Sequence, residues 1–345
     1  MRSHFIRGIR INFAAIICLI GAAYPSLAAT VINPAKFGAK CDGQSDDTAA
    51  IQAAAKAVPN EGGVLQFSEG TCSISGETLL KSNTLVTGHG ATIRNFPPRF
   101  WAHGVGGAFV IRGTSNVTIE GMRFAWQHGV YNGGAAHIIA AFNANHVVIR
   151  NNISDGGGDF AAIVTSTDVV MSGNQVTEVD DSCFDTWDGS HQIRVVDNRC
   201  TTTARKHRGV GAVQFTGIHS GGGPAFNSGF YAAGNEITIN TPNGQAFEIN
   251  GSPAGGSDQD ITIVDNHITI ATHAWGVLVT YAAHGKISRN RFDITSPDMM
   301  GAINVTASSP DWEVSGNTAH TVPGIRAAIF VNSGAGGRLS GNQQN

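Results

Sequence analysis

The stretch NHVVIRNNIS at residues 145–154 is followed by TDVVMSGNQV at 167–176 and HQIRVVDNRC at 191–200. Each stretch is a short run of alternating apolar residues that ends in a two-residue turn, and the second residue of each turn is asparagine. Alternation with a period of two is typical of a β-strand with one buried face. The repetition of this strand and turn decides the fold.

The same unit continues to the C-terminus, with gaps of 22 to 37 residues between turn asparagines. A unit of this length repeated along a chain is the signature of a solenoid. Asparagine suits such a turn because it tolerates the left-handed conformation and can pair with asparagines of neighbouring coils. Short strands and non-helical turns predict an all-β parallel β-helix instead of a leucine-rich repeat or a β-sandwich. The turn asparagines are Asn152, Asn174, Asn198, Asn235, Asn266, Asn290, Asn317 and Asn342.

The N-terminus has the pattern of a secretory signal peptide. Arg2, Arg7 and Arg10 precede the apolar run INFAAIICLIGAA, which is too short to cross a membrane. Small residues follow this run. We predict cleavage after Ala28, which would make residues 1–28 the signal peptide and place the mature protein outside the cell or in the periplasm.

Removal of these residues takes away three arginines and no acid, and so shifts the formal charge from −3 to about −6. An acidic surface argues against nucleic acid and anionic membranes as partners of the mature chain, because both favour patches of lysine and arginine. A polysaccharide remains possible, including an anionic one held by a few local cations.

Four cysteines remain after Cys18 leaves with the signal peptide, and an even number in an exported chain suggests two disulfides. Four cysteines permit three pairings, of which Cys41–Cys72 and Cys183–Cys200 are the simplest. The absence of a C-x-x-C motif or a Cys/His cluster gives no indication of a zinc site.

One segment, SDDTAAIQAAAKAV at 45–58, predicts a helix that buries Ile51, Ala54, Ala55 and Val58 on one face. It lies within FGAKCDGQSDDTAAIQAAAKAVPNEGGVLQFSEGTCSISG, residues 37–76, which resembles the start of the pectate-lyase-like superfamily, and in particular rhamnogalacturonases, epimerases and polygalacturonase-related enzymes. The resemblance implies a single right-handed β-helix domain over 29–345, with an N-terminal cap at about 31–76 and coils at about 77–345. Asp46 and Asp47 would then be capping residues, and the helix would cover the edge of the first coil.

The strands upstream of the turns predict one row of outward side chains on successive coils: Ala161, Asp185, Gln214, Glu248, Leu278, Asn304 and Phe330. The polar part of this row is confined to consecutive coils, beside the two longest gaps between turn asparagines. We therefore expect a binding groove on coils three to six, lined by Asp185, Gln214 and Glu248.

Four aspartates crowd into nine residues of the stretch VDDSCFDTWDGSHQIRVVDN at 179–198, namely Asp180, Asp181, Asp185 and Asp188. Asp188 precedes a glycine and is assigned to a turn. GGDFAAIVTS, DDSCFDTWD and KHRGVGAVQF are similar to polygalacturonase motifs. The resemblance implies that Asp180 or Asp181 is the acid, that Asp159 activates water and that His207 supports them. FDTWD also resembles a motif of alginate epimerases, at Asp185.

In a lyase or epimerase, the basic run at 204–208, with Arg205, Lys206 and His207, is expected to supply the base for the C5 proton and the cation for the neighbouring carboxylate. Arg205 and Lys206 are also expected to bind substrate, and Trp187 and Trp275 to stack on sugar rings. Our first hypothesis is a hydrolase of a polysaccharide containing uronic acid, which requires no cofactor. A lyase or C5-epimerase is the second, with calcium bound by Asp159, Asp180 and Asp181 as a possibility. A β-helix that only binds carbohydrate is the third.

The C-terminus has no capping motif, so either a monomer or a homo-oligomer is compatible with the sequence.

Overall fold

A computed structural model describes residues 30–88, 90–95, 107–126, 137–202, 211–217, 226–252 and 258–345. The predicted signal peptide and the basic run at 204–208 lie outside these residues. In the described part, no helix is both long and apolar enough to span a membrane.

The described residues form three sheets in which every paired neighbour is parallel. Sheet A contains β1 (Val31–Ile32), β3 (Gly63–Gln66), β6 (Thr84–Thr87), β9 (Ser115–Glu120), β12 (Asn145–Arg150), β15 (Thr167–Ser172), β18 (His191–Val196), β21 (Ser228–Ala233), β24 (Asp258–Val264), β27 (Ala282–Ser288), β30 (Trp312–Ser315) and β33 (Arg338–Ser340). Sheet B contains β2 (Asp42–Asp46), β4 (Gly70–Ile74), β7 (Ala91–Asn95), β10 (Arg123–Ala125), β13 (Ile153–Asp155), β16 (Gln175–Val179), β19 (Arg199–Thr202), β22 (Glu236–Ile239), β25 (His267–Ile270), β28 (Arg291–Ile294), β31 (Thr318–His320) and β34 (Gln343–Gln344). Sheet C contains β5 (Thr78–Leu80), β8 (Gly107–Arg112), β11 (His137–Phe142), β14 (Asp159–Val164), β17 (Phe184–Trp187), β20 (Gly211–Thr216), β23 (Gln245–Asn250), β26 (Trp275–Thr280), β29 (Gly301–Val305) and β32 (Phe330–Asn332).

The chain visits sheets A, B and C in turn and then repeats, so each strand pairs with the equivalent strand of the next coil. This arrangement is a parallel β-helix, as the repeats predict. Because stacked strands lie about 4.8 Å apart, a side chain on one coil is placed beside its equivalents on the neighbouring coils.

The turn asparagines form a continuous ladder between sheets A and B. The side-chain amide of Asn174 donates to the Ile149 carbonyl at 2.9 Å and to Asn198 Oδ1 at 3.0 Å, and the pattern repeats from Asn152 to Asn342. The predicted pairing of asparagines is confirmed, but their predicted conformation is wrong. The left-handed residue is the one before each asparagine, because the asparagine side chain must point inward to reach its partners. Examples are Asn151, Gly173 and Asp197.

The core between the sheets is apolar, with one aromatic row in its N-terminal half. Phe109, Phe124, Phe160 and Phe184 contact one another edge to face at centroid distances of 5.9–6.1 Å, and each is almost completely buried. Edge-to-face contacts of this kind stabilise aromatic pairs beyond the contribution of the area they bury. The row ends at Phe184, next to Asp185.

Helix α1 spans Thr48–Ala57, inside the predicted range of 45–58, and the four residues predicted on its apolar face are buried. Asp46 accepts from the Thr48 amide, whereas buried Asp47 accepts from the Lys40, Cys41 and Ser73 amides. Both aspartates thus bind backbone groups, as expected of structural residues. The predicted disulfide Cys41–Cys72 is also present.

The predicted outward row is wrong at two of its members. Ala161 pairs with Phe184 and points into the core, and Phe330 pairs with Ile303 and packs on the core. The reason is that a buried residue directly precedes each of them, Phe160 within β14 and Ile329 just before β32, and displaces the alternation by one position. Ala162 and Val331 occupy the outward places instead.

Candidate functional site

The polar row on sheet C is present in the predicted order. Asp185 pairs with Gln214, Gln214 with Glu248, and Glu248 with Leu278, on four consecutive coils. Asp185 and Glu248 are two coils apart, which corresponds to about 9–10 Å along the axis. The outward face of strands β17, β20 and β23 therefore carries two acids with an amide between them.

The corner between sheets B and C brings further acids to this face. The backbone amides of Asp180 and Asp181 donate to the carbonyls of Gly157 and Gly158 at 2.7 and 2.9 Å. Asp180 is buried, whereas Asp181 is partly exposed. Of this predicted pair, Asp181 is therefore the residue open to solvent.

The second predicted disulfide, Cys183–Cys200, is present and holds this corner against strand β19. Both cysteines are buried. Asp188 has a left-handed backbone, with φ of 52°, and lies in the turn after β17, as predicted. The cluster of four aspartates thus divides into a corner pair, one strand residue and one turn residue.

Asp159 lies at the start of β14 and is paired with His137, a residue to which the sequence analysis assigns no role. His137 Nδ1 and Asp159 Oδ2 are 2.7 Å apart, and each side chain is only 1% exposed. The other oxygen of Asp159 accepts from the Ser182 amide at 2.9 Å. Both oxygens of Asp159 are therefore engaged within the fold, while Nε2 of His137 has no hydrogen-bond partner among the described residues.

The pKa of Asp185 is raised well above its ordinary value, first by burial and then by the negative charges of Asp159, Asp181 and Glu248. The side chain is 5% exposed, and its Oδ1 has no hydrogen-bond partner among the described residues. Burial disfavours a charged carboxylate, and neighbouring like charges add to this effect. Asp185 therefore retains its proton to a higher pH than an ordinary aspartate does.

Glu248 and Gln214 are both partly exposed and line the same face. Burial also raises the pKa of Glu248, although a hydrogen bond involving Asn250 opposes the shift. Gln214 Nε2 donates to Ser182 Oγ at 2.7 Å. A Cβ at Gly211 would lie 2.6 Å from Gln214 Cγ and 2.7 Å from Glu248 Cβ, so only glycine there leaves room for both side chains.

The two predicted stacking residues lie in different parts of sheet C. Trp187 is partly exposed, and its ring meets that of His137 edge to face at 6.0 Å. Trp275 lies at the start of β26, on the coil after Glu248. Arg205, Lys206 and His207 lie outside the described residues, so their predicted roles stay predictions.

Among the described residues, one group of three metal-ligating side chains has its ligand atoms within 4.8 Å of one another: Cys41, Asp47 and Cys72. It is not a metal site in this state, since both cysteines form a disulfide and Asp47 binds backbone amides. The predicted calcium site at Asp159, Asp180 and Asp181 is not in this group. The oxygens of Asp159 already have partners in His137 and Ser182.

His137 is recognisable in the sequence once the repeats are aligned on their coils. HIIAAF at 137–142 and DFAAIV at 159–164 occupy equivalent strands, with His137 beside Asp159. The match between the first residues of these two repeats is the signal that identifies it. The sequence of a single repeat does not reveal this signal, because it does not show the register between coils.

No protein-family model and no curated protein sequence matches the chain. Several solved structures do. The surface adhesin PfbA of Streptococcus pneumoniae is 16% identical, with a TM-score of 0.63 and 91% of each chain covered. An exopolygalacturonase from Thermotoga maritima is 14% identical, with a TM-score of 0.59 and 92% of each chain covered.

The A-module of a mannuronan C-5 epimerase from Azotobacter vinelandii is 16% identical, with a TM-score of 0.51, and the match covers 91% of this chain and 99% of that module. At such low sequence identities the similarity shows a shared fold and does not show a shared activity. The predicted resemblance to pectate-lyase-like β-helix proteins is confirmed at that level. The chain shares the parallel β-helix fold of an adhesin, a polygalacturonase and an epimerase.

Proposed function

We propose that this protein is an exported glycoside hydrolase that acts on a polysaccharide containing uronic acid. The observation that carries the proposal is the raised pKa of Asp185 beside the carboxylates of Asp181 and Glu248 on one face of sheet C. A glycosidase needs one carboxylic acid that keeps its proton and a second, ionised carboxylate.

In the proposed mechanism, Asp185 donates its proton to the glycosidic oxygen as the bond to the leaving sugar breaks. Asp181 removes a proton from the water that attacks the anomeric carbon, since it is partly exposed and its charge acts on Asp185. Glu248 and Gln214 line the cleft beside them. An inverting mechanism requires a separation of about 6.5–9.5 Å between these two carboxyl groups, which leaves room for the attacking water.

This assignment revises the roles implied by resemblance for Asp159, Asp180 and Asp181. Asp159 has both oxygens engaged and is 1% exposed, so we assign it to holding His137 and the Ser182 amide in place. Asp180 is equally buried, which favours Asp181 as the residue that meets water.

A lyase or C5-epimerase is the second candidate, and the His137–Asp159 pair is the observation that favours it. A neutral imidazole whose Nδ1 donates to a carboxylate leaves Nε2 as an acceptor, and Nε2 of His137 has no partner among the described residues. In this candidate mechanism Nε2 accepts the proton at C5 of a uronate, which requires that the side chain, 1% exposed in this structure, become accessible to substrate. Calcium would serve this reaction by stabilising the charge on the neighbouring carboxylate.

A screen of the purified protein against acidic and neutral polysaccharides separates these functions. Hydrolysis releases reducing ends without new ultraviolet absorbance, a lyase produces an unsaturated, absorbing product, and an epimerase changes the sugar composition without cleavage. Binding without any of these changes would indicate the third function, a carbohydrate-binding β-helix.

Export and the N-terminal cap belong to the same proposal. The two disulfides support an oxidising location, because such bonds persist mainly outside the cytosol. Helix α1 contacts strands β1 and β5 of the first coil, which supports its role as the cap of a right-handed helix. N-terminal sequencing of the secreted protein should begin after Ala28.

A further inference from the structure

The row of sheet C that carries Asp159 continues towards the C-terminus beyond the candidate site. Asp159 binds the Ser182 amide, and the row then passes through Gly211 and Gln245 to Trp275, all in register. Three of these coil steps separate the coil of Asp185 from the coil of Trp275, or about 14 Å along the axis. A polymer lying along this face from Asp185 would reach Trp275.

Trp275 is held as a platform by a glycine on the next coil. It pairs with Gly301, and a Cβ at that position would collide with the six-membered ring of the indole. The ring therefore rests on the backbone of Gly301. Because Trp275 is only partly buried and lines an open cavity of about 650 Å³, its remaining surface faces that cavity. A flat aromatic surface of this kind suits the apolar face of a sugar ring.

The same cavity holds an arginine. Arg326 is exposed, lines the cavity, and has no ion-pair partner among the described residues. Asp298 also lines it, but His273 Nδ1 binds the Asp298 carbonyl at 2.6 Å and lies 3.5 Å from its carboxylate. Met299 and Met300 provide apolar surface. The cavity thus combines an aromatic platform with a guanidinium that has five donors arranged to match a carboxylate.

We propose that this cavity is a distal subsite that binds a uronic acid unit of the same polysaccharide chain, with the ring on Trp275 and the carboxylate on Arg326. This inference takes the class of polymer, a polysaccharide containing uronic acid, from the proposed function. It does not depend on which reaction the protein catalyses. It also sets the direction of the bound chain, which would run from the acids of β17 and β23 towards the C-terminal coils. Oligosaccharides at Asp185 that do not extend across the three coil steps to Trp275 would not reach the subsite.

The test compares a trimer and an octamer of galacturonate, and the same lengths of mannuronate, as ligands of the full-length mature protein in titration calorimetry. The wild type should bind the octamer of its preferred uronate more tightly than the trimer. Trp275→Ala and Arg326→Gln should each weaken binding of the octamer about tenfold and leave binding of the trimer unchanged, as expected for loss of one stacking contact or one charge-assisted contact. Arg326→Lys should retain part of the affinity, and Arg338→Gln, which removes an exposed arginine on sheet A, should have no effect.

The proposal is overturned if the two lengths bind equally, if neither uronate binds, or if Arg326→Gln binds the octamer like the wild type. Kinetics distinguish this failure from failure of the proposed function. Loss of length-dependent binding with full hydrolysis would refute the subsite alone. Length-dependent binding that Arg326→Gln abolishes, in a protein that cleaves no polysaccharide, would refute hydrolysis and retain the subsite.

Discussion

Asp258 provides a test of the solenoid interior that is independent of the proposed reaction. It lies at the start of β24, is fully buried, and accepts from the Asn227 backbone amide at 2.8 Å and from its side chain at 3.4 Å. Burial raises its pKa to about 7, although the hydrogen bonds from Asn227 oppose the shift. Replacement by asparagine keeps the size and the acceptor oxygen and removes the charge.

The sign of the effect follows from the raised pKa. Below about pH 4 the carboxyl is protonated in both the folded and the unfolded protein, so it does not affect stability. Between about pH 4 and 7 the unfolded chain loses the proton while the folded protein retains it, and the free energy of unfolding falls. A pKa of about 7 instead of 3.8 corresponds to a loss on the order of 4 kcal/mol above pH 7.

Urea denaturation followed by circular dichroism at several pH values measures this loss. Asp258→Asn should match the wild type near pH 4 and exceed its free energy of unfolding by about 2–4 kcal/mol at pH 8. Asp260→Asn, at an exposed position two residues along the strand, is the matched control and should change stability by about 0.5 kcal/mol or less. If the free energies of unfolding of Asp258→Asn and the wild type differed by the same amount at every pH, the pKa of Asp258 would not be raised in the folded protein.

Three further perturbations test the ladder, the corner and the acids. Asn198→Ala removes the donor to the Met171 carbonyl and to Asn235 and the acceptor for the Asn174 amide, and should lower the free energy of unfolding by about 3 kcal/mol. Asn342→Ala, in the last coil, should lower it by about 1 kcal/mol. Equal losses in the two variants would contradict a buried ladder. Replacing both Cys183 and Cys200 by alanine removes a disulfide between residues 17 apart in sequence and should lower the free energy of unfolding by about 3 kcal/mol. A urea midpoint equal to that of the wild type would contradict a stabilising disulfide. Glu248→Gln removes a negative charge that raises the pKa of Asp185, and should move the alkaline limb of the pH–rate profile to lower pH; an unmoved limb would mean that Asp185 is not the titrating acid.

The repeats predicted the fold because one strand and one asparagine turn recur with local spacing, and each coil packs mainly on its neighbours. They also predicted the position of Asp185 beside Gln214 and Glu248. Errors arose where a strand departs from alternation, as at Ala161 and Phe330, because a single extra inward residue reverses the direction of the next one.

Two features of the site depend on contacts between coils that the sequence order does not reveal. His137 meets Asp159 because their strands are in register across 22 residues. The raised pKa of Asp185 depends on its burial, on the charges of Asp159 and Glu248 from other coils, and on the charge of Asp181 from its own coil. Composition and motifs could suggest the acids, but not which of them keeps its proton.

The central claim is that Asp185 is the general acid of a polysaccharide hydrolase. The most direct measurement is the release of reducing ends by Asp185→Asn from the acidic polysaccharide that the wild type cleaves, with Asp188→Asn as the matched control in the following turn. We expect activity to fall about 10³-fold in Asp185→Asn with unchanged binding of the polymer, and Asp188→Asn to keep wild-type activity. Activity of Asp185→Asn within a few-fold of the wild type, or a wild type that cleaves no polysaccharide, would contradict it.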